Sequence, residues 1–472
     1  MVHTFTALDQ YLAADVNSGA VHVLDKLSYE LLSLIADQDR MGEEMPSELA
    51  GKLPQYDSAD LKEAWSELRE LQENGLLFTT DEYIDPDEAM ALPKAAVVKA
   101  LCLHVSHDCN LRCRYCFADG GDFNTGRRMN MDFETAKAAI DWVVAKSGKR
   151  RNIEVDFFGG EPLLAMDVVK QTVDYARSLE KEHDKCFRFT ITTNGMMLND
   201  DYIEFINREM SNVVLSLDGR PEVNNHMRIT PNGSGSYDII VPKFQKLVAG
   251  RGDKEYFVRG TFTRENLDFA EDVKHLASLG FRHVSVEPAS GPLDDPFAIK
   301  EEDLPQVKAE YEKLARELIN RKDVNFFHFN VDLSQGPCVI KRLRGCGAGC
   351  EYVAITPDGD IYPCHQFVGK DEYCMGNVFK GTFNMDVSNV FSDQNIYTRP
   401  ACRKCWARFY CSGGCSASNL LVNHDITMSN EVACEMERKR LECAIAMNAI
   451  RAGMGEPVQS QQSGCATCGG CD

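Results

Sequence analysis

The chain has 472 residues, 19 cysteines, 44% hydrophobic and 26% charged residues, and a formal net charge of −21. That mixture belongs to a folded globular protein of about three domains and excludes a mainly disordered chain. No stretch approaches the ~18 consecutive apolar residues of a membrane span, and the opening Met1-Val-His-Thr-Phe-Thr-Ala-Leu-Asp9 lacks the basic start and apolar run of a secretory signal. A cytoplasmic protein of a reducing, anaerobic setting without a membrane partner is expected. There, an odd number of cysteines points to metal or redox chemistry rather than a disulfide framework.

Residues 1–90 contain five Lys/Arg against twenty Asp/Glu, which is −15 of the −21, and no cysteine. The runs Tyr11–Val16 and Ala20–Leu24, split by Asn17-Ser-Gly19, predict a hairpin. Helices are expected over 26–36, 45–52 and 58–74, the last with Leu61, Trp65, Leu68 and Leu71 at helical spacing. A short segment, Leu76–Thr80, closes this block, and Asp85-Pro-Asp-Glu88 reads as a linker. Nucleic-acid affinity rests on Lys/Arg contacts to phosphate, so the acidic balance argues strongly against a nucleic-acid partner here.

From about 99 to 322, strands alternate with helices. The predicted strands are Leu101–Ser106, Ile153–Phe158, Phe187–Thr193, Val213–Leu217, Tyr256–Phe262 and His283–Glu287. Helices are predicted at Phe133–Lys146, Val168–Lys181, Asp200–Arg208, Phe269–Leu279 and Leu304–Ile319. The strands read as apolar with little alternation, as in a parallel sheet covered on both faces. Six βα units suit an incomplete barrel or a doubly wound sheet, and both place function in the loops after the strands. The last 30% looks poor in long periodic segments and rich in Cys and Gly, a loop domain held by metal. The expected divisions are 1–90, 91–325, 326–447 and a flexible tail at 448–472 carrying Cys465, Cys468 and Cys471.

Cys109-x3-Cys113-x2-Cys116 follows the first predicted strand. Three thiolates in eight residues can hold three irons of a cubane and leave the fourth open, and an open metal position marks a place where a ligand is activated. A structural zinc site or three ordinary thiols is the plainer alternative. The spacing, Tyr115 just before the third cysteine, and Gly159-Gly160-Glu161-Pro162 after the second strand together resemble the radical S-adenosylmethionine (radical SAM) enzymes. The resemblance implies that the open iron chelates S-adenosylmethionine, which one electron cleaves to methionine and a 5′-deoxyadenosyl radical. It further implies that Gly159, Gly160 and Glu161 hold the methionine amino group. Asn194, Ser216, Asp218 and Glu287 match positions that contact ribose, carboxylate or substrate, and Arg228 could pair with the methionine carboxylate.

Near the C-terminus, Cys346-x12-Gly359-x4-Cys364 precedes Cys402-x2-Cys405-x5-Cys411-x3-Cys415 and Cys434. These spacings resemble the SPASM domain, whose seven cysteines hold two auxiliary iron–sulfur clusters; a zinc ribbon is the alternative. By that resemblance Cys402, Cys405, Cys411 and Cys434 bind the second auxiliary cluster, and Cys346, Cys364 and Cys415 the first. Three [4Fe–4S] clusters are implied in all. The fourth ligand of the first auxiliary cluster stays open between Cys338, Cys350, a substrate thiol and none. Cys102, Cys186, Cys374 and Cys443 read as packed or surface thiols.

The whole chain to about 447 is similar to the SCIFF peptide maturases, through stretches such as Asp15-Val-Asn-Ser-Gly-Ala-Val-His22, Asp156-Phe-Phe-Gly-Gly-Glu-Pro162 and Tyr362-Pro-Cys-His-Gln-Phe367. It departs from that family in Cys350 and in its Cys-rich tail. The implied fold is α/β: a partial (β/α)6 TIM-like radical SAM barrel between an N-terminal winged-helix-like RiPP recognition element and a C-terminal SPASM domain. The implied activity is Cys-to-Thr thioether formation in a small cysteine-rich precursor peptide. Implied partners are a leader peptide, basic by charge complementarity, and a low-potential donor of flavodoxin or ferredoxin type. Two other readings stand beside it. A maturase of a protein's active-site Ser or Cys would need no leader domain and should survive removal of residues 1–90. An iron–sulfur redox regulator would bind DNA and leave S-adenosylmethionine intact.

Overall fold

A computed structural model of the chain describes residues 1–83, 85, 97–333 and 336–455. The first 83 residues form an antiparallel sheet, β1 (Val2–Ala7), β2 (Gln10–Asp15) and β3 (Val21–Leu24) in that order, followed by α1 (Lys26–Ser33), α2 (Ser47–Lys52) and α3 (Ser58–Glu73). The hairpin of β2 and β3 is as expected, whereas β1 is an addition. It folds back through Leu8 and Asp9, both left-handed at φ 52° and 63°, the backbone of a tight two-residue hairpin turn. α1 begins where the Asp25 side chain accepts the Ser28 backbone N–H at 2.7 Å, a cap for an otherwise unpaired donor. α3 buries Leu61, Ala64, Trp65 and Leu68 on one stripe. The sheet has two buried faces. Val2 and Ala13 pack with these helices, while Phe5, Leu12 and Val16 join the main core of the molecule.

The next six strands are β4 (Ala100–Ser106), β5 (Asn152–Gly159), β6 (Cys186–Thr193), β7 (Asn212–Ser216), β8 (Phe257–Phe262) and β9 (His283–Pro288). They are parallel and adjacent in chain order, with α4 (Phe133–Lys146), α5 (Met166–His183), α6 (Asp200–Glu209), α7 (Pro221–Met227), α8 (Tyr237–Ala249), α9 (Phe269–Ser278) and α10 (Leu304–Leu318) in the connections. α7 and α8 are additions to the expected helices. Strand order without a reversal selects the partial barrel over the doubly wound sheet, which needs a switch point. One expectation is corrected here. The strands alternate: Ile153, Val155 and Phe157 of β5, and Phe187, Phe189 and Ile191 of β6, are buried, while Asp156, Thr190 and Thr192 between them are only part-buried. The apolar set meets the helices, and the intervening polar set faces the barrel's inside.

Among the described residues the sheet has eleven strands. β10 (Asn325–Phe326) extends it beyond β9; on the other side β11 (Tyr352–Ile355) runs parallel to β4, followed by antiparallel β12 (Asp360–Tyr362), β13 (Gly376–Asn377) and β14 (Thr382–Phe383). The C-terminal region is therefore built directly onto the barrel's first strand. Most of its cysteines lie in the turns and loops between short elements, and α11 (Glu431–Gly453), which carries Cys434 and Cys443, closes it. α11 overturns the expectation of a region poor in long elements, and it continues through 448–453, where a tail was expected. Its second half buries Leu441 and the unbroken run Cys443–Asn448, so no one-sided stripe marks it in the sequence. Cys465, Cys468 and Cys471 lie outside the described residues. Among the described residues no helix is long and apolar enough to cross a membrane.

Candidate active site and thiol sets

β4 ends at Ser106, and the loop that follows carries Cys109, Cys113 and Cys116. Main-chain hydrogen bonds join it to the end of β5: Gly160 N–H donates to Ser106 O and Glu161 N–H to Asp108 O, both at 2.8 Å. These two strand ends approach too closely for side chains. A Cβ on Gly159, at φ +126°, would lie 2.1 Å from Ser106 O, and one on Gly160 would lie 2.1 Å from Asp108 O. The glycine pair thus lets the two loops come together. Cys113 O accepts the Cys116 N–H at 3.1 Å, curling the three thiols toward one another. Cys109 and Cys113 lie within electrostatic reach of each other and of Cys116, and burial pushes both thiols up to about 12. Buried, mutually repelling thiols gain most from a cation that takes them as thiolates.

The polar residues singled out in the sequence surround this loop, in two groups. Tyr115 donates its hydroxyl to Asp218, at 2.7 and 2.9 Å to the two oxygens. Arg228 Nε donates to Asp218 at 3.0 Å, and its guanidinium lies 5.8 Å from the Tyr115 ring centre and 3.9 Å from Cys113 Sγ. The Thr261 backbone N–H also donates to Asp218, at 3.0 Å, so this fully buried carboxylate is already committed to three partners. In the second group, Glu161 accepts the Asn194 N–H at 2.8 Å, the Thr193 hydroxyl at 2.7 Å and the Leu163 N–H at 3.1 Å. Burial still pushes its carboxyl up to about 7. The Asn194 side chain reaches Asn110 at 2.8 Å and Cys109 Sγ at 3.6 Å. Ser216 ends β7 opposite Arg259 in register, and Glu287 is ion-paired with Arg259, with His328 3.6 Å away. Ser216 and Glu287 therefore line the barrel and not the thiol loop. Arg259, Thr261 and His328 were not picked out; alternation along β8 could have suggested the first two, and nothing in the sequence marks His328.

The remaining cysteines separate into two sets. Cys364 lies within electrostatic reach of Cys346 and Cys415, and Cys346 of Cys415. Cys411 and Cys434 each reach Cys402 and Cys405. Burial is the leading cause that raises Cys346, Cys364, Cys402, Cys411 and Cys434 above the usual thiol range. Arg399, almost fully buried, stands between the sets: it bonds Gly413 O, Ser416 Oγ at 3.0 Å and Ile426 O at 3.1 Å, and feels Cys402, Cys411, Cys415 and Cys434. Cys350 is buried and reaches Cys346, whereas Cys338 is exposed. Among the described residues no three His, Cys, Asp or Glu close on a point as ligands of a single metal ion. Sets made of thiols alone suit an iron–sulfur core, whose irons are held by thiolates.

Comparison with known proteins agrees. The radical SAM superfamily profile matches residues 103–247, and that of the SPASM iron–sulfur cluster-binding domain matches residues 346–406. The chain carries a radical SAM domain and a SPASM domain. The two domains imply an S-adenosylmethionine-binding [4Fe–4S] cluster and auxiliary clusters, which the three thiol sets fit. The cysteine-type anaerobic sulfatase-maturating enzyme of Clostridium novyi (strain NT) is 24% identical over 348 residues, 70% of this chain and 90% of that one. The mycofactocin maturase MftC of Mycobacterium tuberculosis (strain ATCC 25618 / H37Rv) is 28% identical over 342 residues, 68% and 80% of the two chains. Among solved structures, anSMEcpe with bound AdoMet and Kp18Cys peptide shares the fold with a TM-score of 0.61 at 19% identity, covering 75% of this chain and 99% of that one. Streptococcus suis SuiB bound to the precursor peptide SuiA gives 0.50 at 16% identity, covering 91% and 98%.

Proposed function

We propose that this protein is a peptide maturase that forms Cys-to-Thr type thioether crosslinks in a small cysteine-rich precursor captured through its leader. The carrying observation is the acidic N-terminal domain clamped onto the thiol-rich region. His3 stacks on Trp406 with ring centres 4.1 Å apart, and Arg408, between Cys405 and Cys411, donates to Asn17 at 2.6 Å and Asp81 at 2.9 Å. Among the described residues β3 has a neighbour on one side only, and a free sheet edge can take up an extended peptide as a further strand. In the same domain α3 and its cap present Asp57, Asp60, Glu63, Glu67 and Glu70 to solvent, a field that draws a basic leader and weakens with salt.

Within the barrel, Cys109, Cys113 and Cys116 would hold the cluster that binds S-adenosylmethionine. Its chemistry when bound is one-electron cleavage of that sulfonium, with electrons from a low-potential carrier of flavodoxin or ferredoxin type. Asn194 and Arg228 flank the thiols and orient what binds beside them; Glu161 fixes the Asn194 backbone. Tyr115 and Asp218 hold Arg228 in place. The enclosed, polar-lined barrel admits an extended peptide and limits water around it. Cys402, Cys405, Cys411 and Cys434 would hold one auxiliary cluster; Cys346, Cys364 and Cys415, with Cys350 beside them, would hold the other.

A second reading, maturation of an active-site Cys or Ser in another protein, is favoured by the relatedness to the sulfatase-maturating enzyme. Removing residues 1–90 does not separate the two readings as the sequence suggested, because Phe5, Leu12 and Val16 are part of the main core. Competition does. Anaerobically reconstituted enzyme, reductant and S-adenosylmethionine are combined with synthetic peptides that carry Cys and Thr, with or without a basic leader. The thioether reading expects 5′-deoxyadenosine and a two-hydrogen mass loss that requires the leader and is inhibited by free leader. Oxidation of a leaderless Cys peptide, indifferent to free leader, would favour the second reading.

A further inference from the structure

Asp156 projects from the middle of β5 toward the inside of the barrel, three residues before Gly159 of the loop that meets the cysteines. Its carboxylate lacks the neutralisation a buried charge usually has. Oδ1 is shut off from solvent and has no hydrogen-bond partner; the Thr192 side chain serves the group from β6, and Arg259 on β8 lies within electrostatic reach, but Arg259 is itself paired with Glu287. Directly across the strand pair is Cys102 on β4. The Tyr352 hydroxyl, on β11, hydrogen-bonds Cys102 and lies 3.3 Å from His365 Nδ1. Cys102 and Tyr352 both feel Asp156 on one side and Cys364 on the other. Asp156 thus sits inside the barrel between the radical SAM loop and the first auxiliary thiol set. A buried, half-unsatisfied carboxylate is a net destabilisation that the fold does not require. A site that takes protons from a substrate does require one.

Resting on the thioether reading, we propose that Asp156 is the proton acceptor for the peptide cysteine: its part-exposed carboxylate takes the thiol proton, the S–H bond breaks, and the electron pair stays on sulfur as the thiolate. The balance is a proton transfer, with no change of oxidation state. Burial, opposed by Arg259 and Thr192, pushes the Asp156 carboxyl up to about 7, close to the pKa that makes a general base effective near neutrality. The titratable groups facing it are Cys102, Arg259 and Tyr352, with His365 and Glu287 one contact further. Burial drives His365 down to about 4, so it does not titrate in the same range.

The test compares wild type, Asp156→Asn and Asp156→Glu as reconstituted holoenzymes of equal iron content, with a basic-leader peptide carrying Cys and Thr. Wild-type crosslinking should rise with pH through about 7, because the carboxylate is the active form. In Asp156→Asn that limb should vanish and crosslinking fall about 10²-fold, with 5′-deoxyadenosine release within about threefold of wild type; Asp156→Glu should restore part of both. Infrared difference spectra between pH 6 and 8 should show a titrating carboxyl that Asp156→Asn lacks. Wild-type crosslinking rates in Asp156→Asn, a retained pH limb, or no such carboxyl overturns this inference alone. No two-hydrogen loss in wild type overturns the thioether reading, and this role with it.

Discussion

The radical SAM loop and the C-terminal thiol sets use the same ligand chemistry on opposite kinds of scaffold. The first hangs from a barrel whose strands bury Phe157, Phe187, Phe189 and Ile191 almost completely, and main-chain bonds fix it to β5. The second region has strands of two to four residues and most of its cysteines in the loops between short elements. Buried arginines hold it: Arg399 between the two sets, and Arg408 against the N-terminal domain. One site is positioned by the apolar core of the barrel. The other rests on a small apolar cluster around Phe367 and Phe391 and on a neighbouring domain, so binding events at the N-terminus have a direct mechanical route to it.

The comparison is broken most sharply by removing one thiol from each side. We expect Cys113→Ala to abolish 5′-deoxyadenosine formation and remove about a third of the iron, with the circular dichroism unchanged. Cys411→Ala should leave S-adenosylmethionine cleavage largely intact, abolish peptide crosslinking and lower the melting temperature. Equal loss of cleavage in both variants would show that the sites are not separable. A second, smaller effect should follow from Gly160→Ala, whose Cβ would press on Asp108 O. It should displace the thiol loop and slow cleavage about 10²-fold while the auxiliary iron stays bound. Iron lost equally from all three sets would mean that the loop is not independently positioned.

Much of this contrast could be read in the sequence, because the signals were local. Six apolar runs with functional loops after them gave the βα units, the family resemblance chose the barrel, and cysteine spacing read through the SPASM resemblance gave the expected grouping of the thiols. What escaped was set by tertiary contacts. β1 turns through Leu8-Asp9, which carry none of the Asn-Gly chemistry that announces a tight hairpin. α11 buries residues on every side over its second half and so shows no stripe. The polar lining of the barrel, Asp156 included, was read as part of a continuous apolar run because strand alternation becomes meaningful only once the sheet is known to curve around a chamber. The glycine pair was expected to admit a ligand; its closest neighbours are Ser106 O and Asp108 O.

The link between the N-terminal domain and the thiol region is the next thing to break. Arg408 is 1% and Asp81 8% exposed at the side chain, so losing one partner strands a buried charge. Arg408→Met and Asp81→Asn should each destabilise by about 3–5 kcal/mol, and the double variant by clearly less than their sum, measured by denaturant unfolding. Additive losses would show that the pair does not join the two regions. If it does, the single variants should also blunt the dependence of crosslinking on the leader while leaving S-adenosylmethionine cleavage near wild type.

The smallest effect concerns the fourth position of the first auxiliary set. Cys350 is buried beside Cys346, and its thiol, raised by burial to about 11, donates toward Gly347 O at 3.4 Å. Cys338 is exposed. A ligand must be deprotonated and near its iron, and Cys350 meets the second condition without a change of backbone. We therefore expect Cys350→Ser to alter the Mössbauer or electron paramagnetic resonance signature of that cluster, with crosslinking reduced less than tenfold, and Cys338→Ser to leave the spectrum unchanged. The reverse result would mean that residues 336–346 fold onto the set when it is loaded. No change in either would leave the position to the thiol of the peptide, which would tie the cluster to the substrate rather than to the chain.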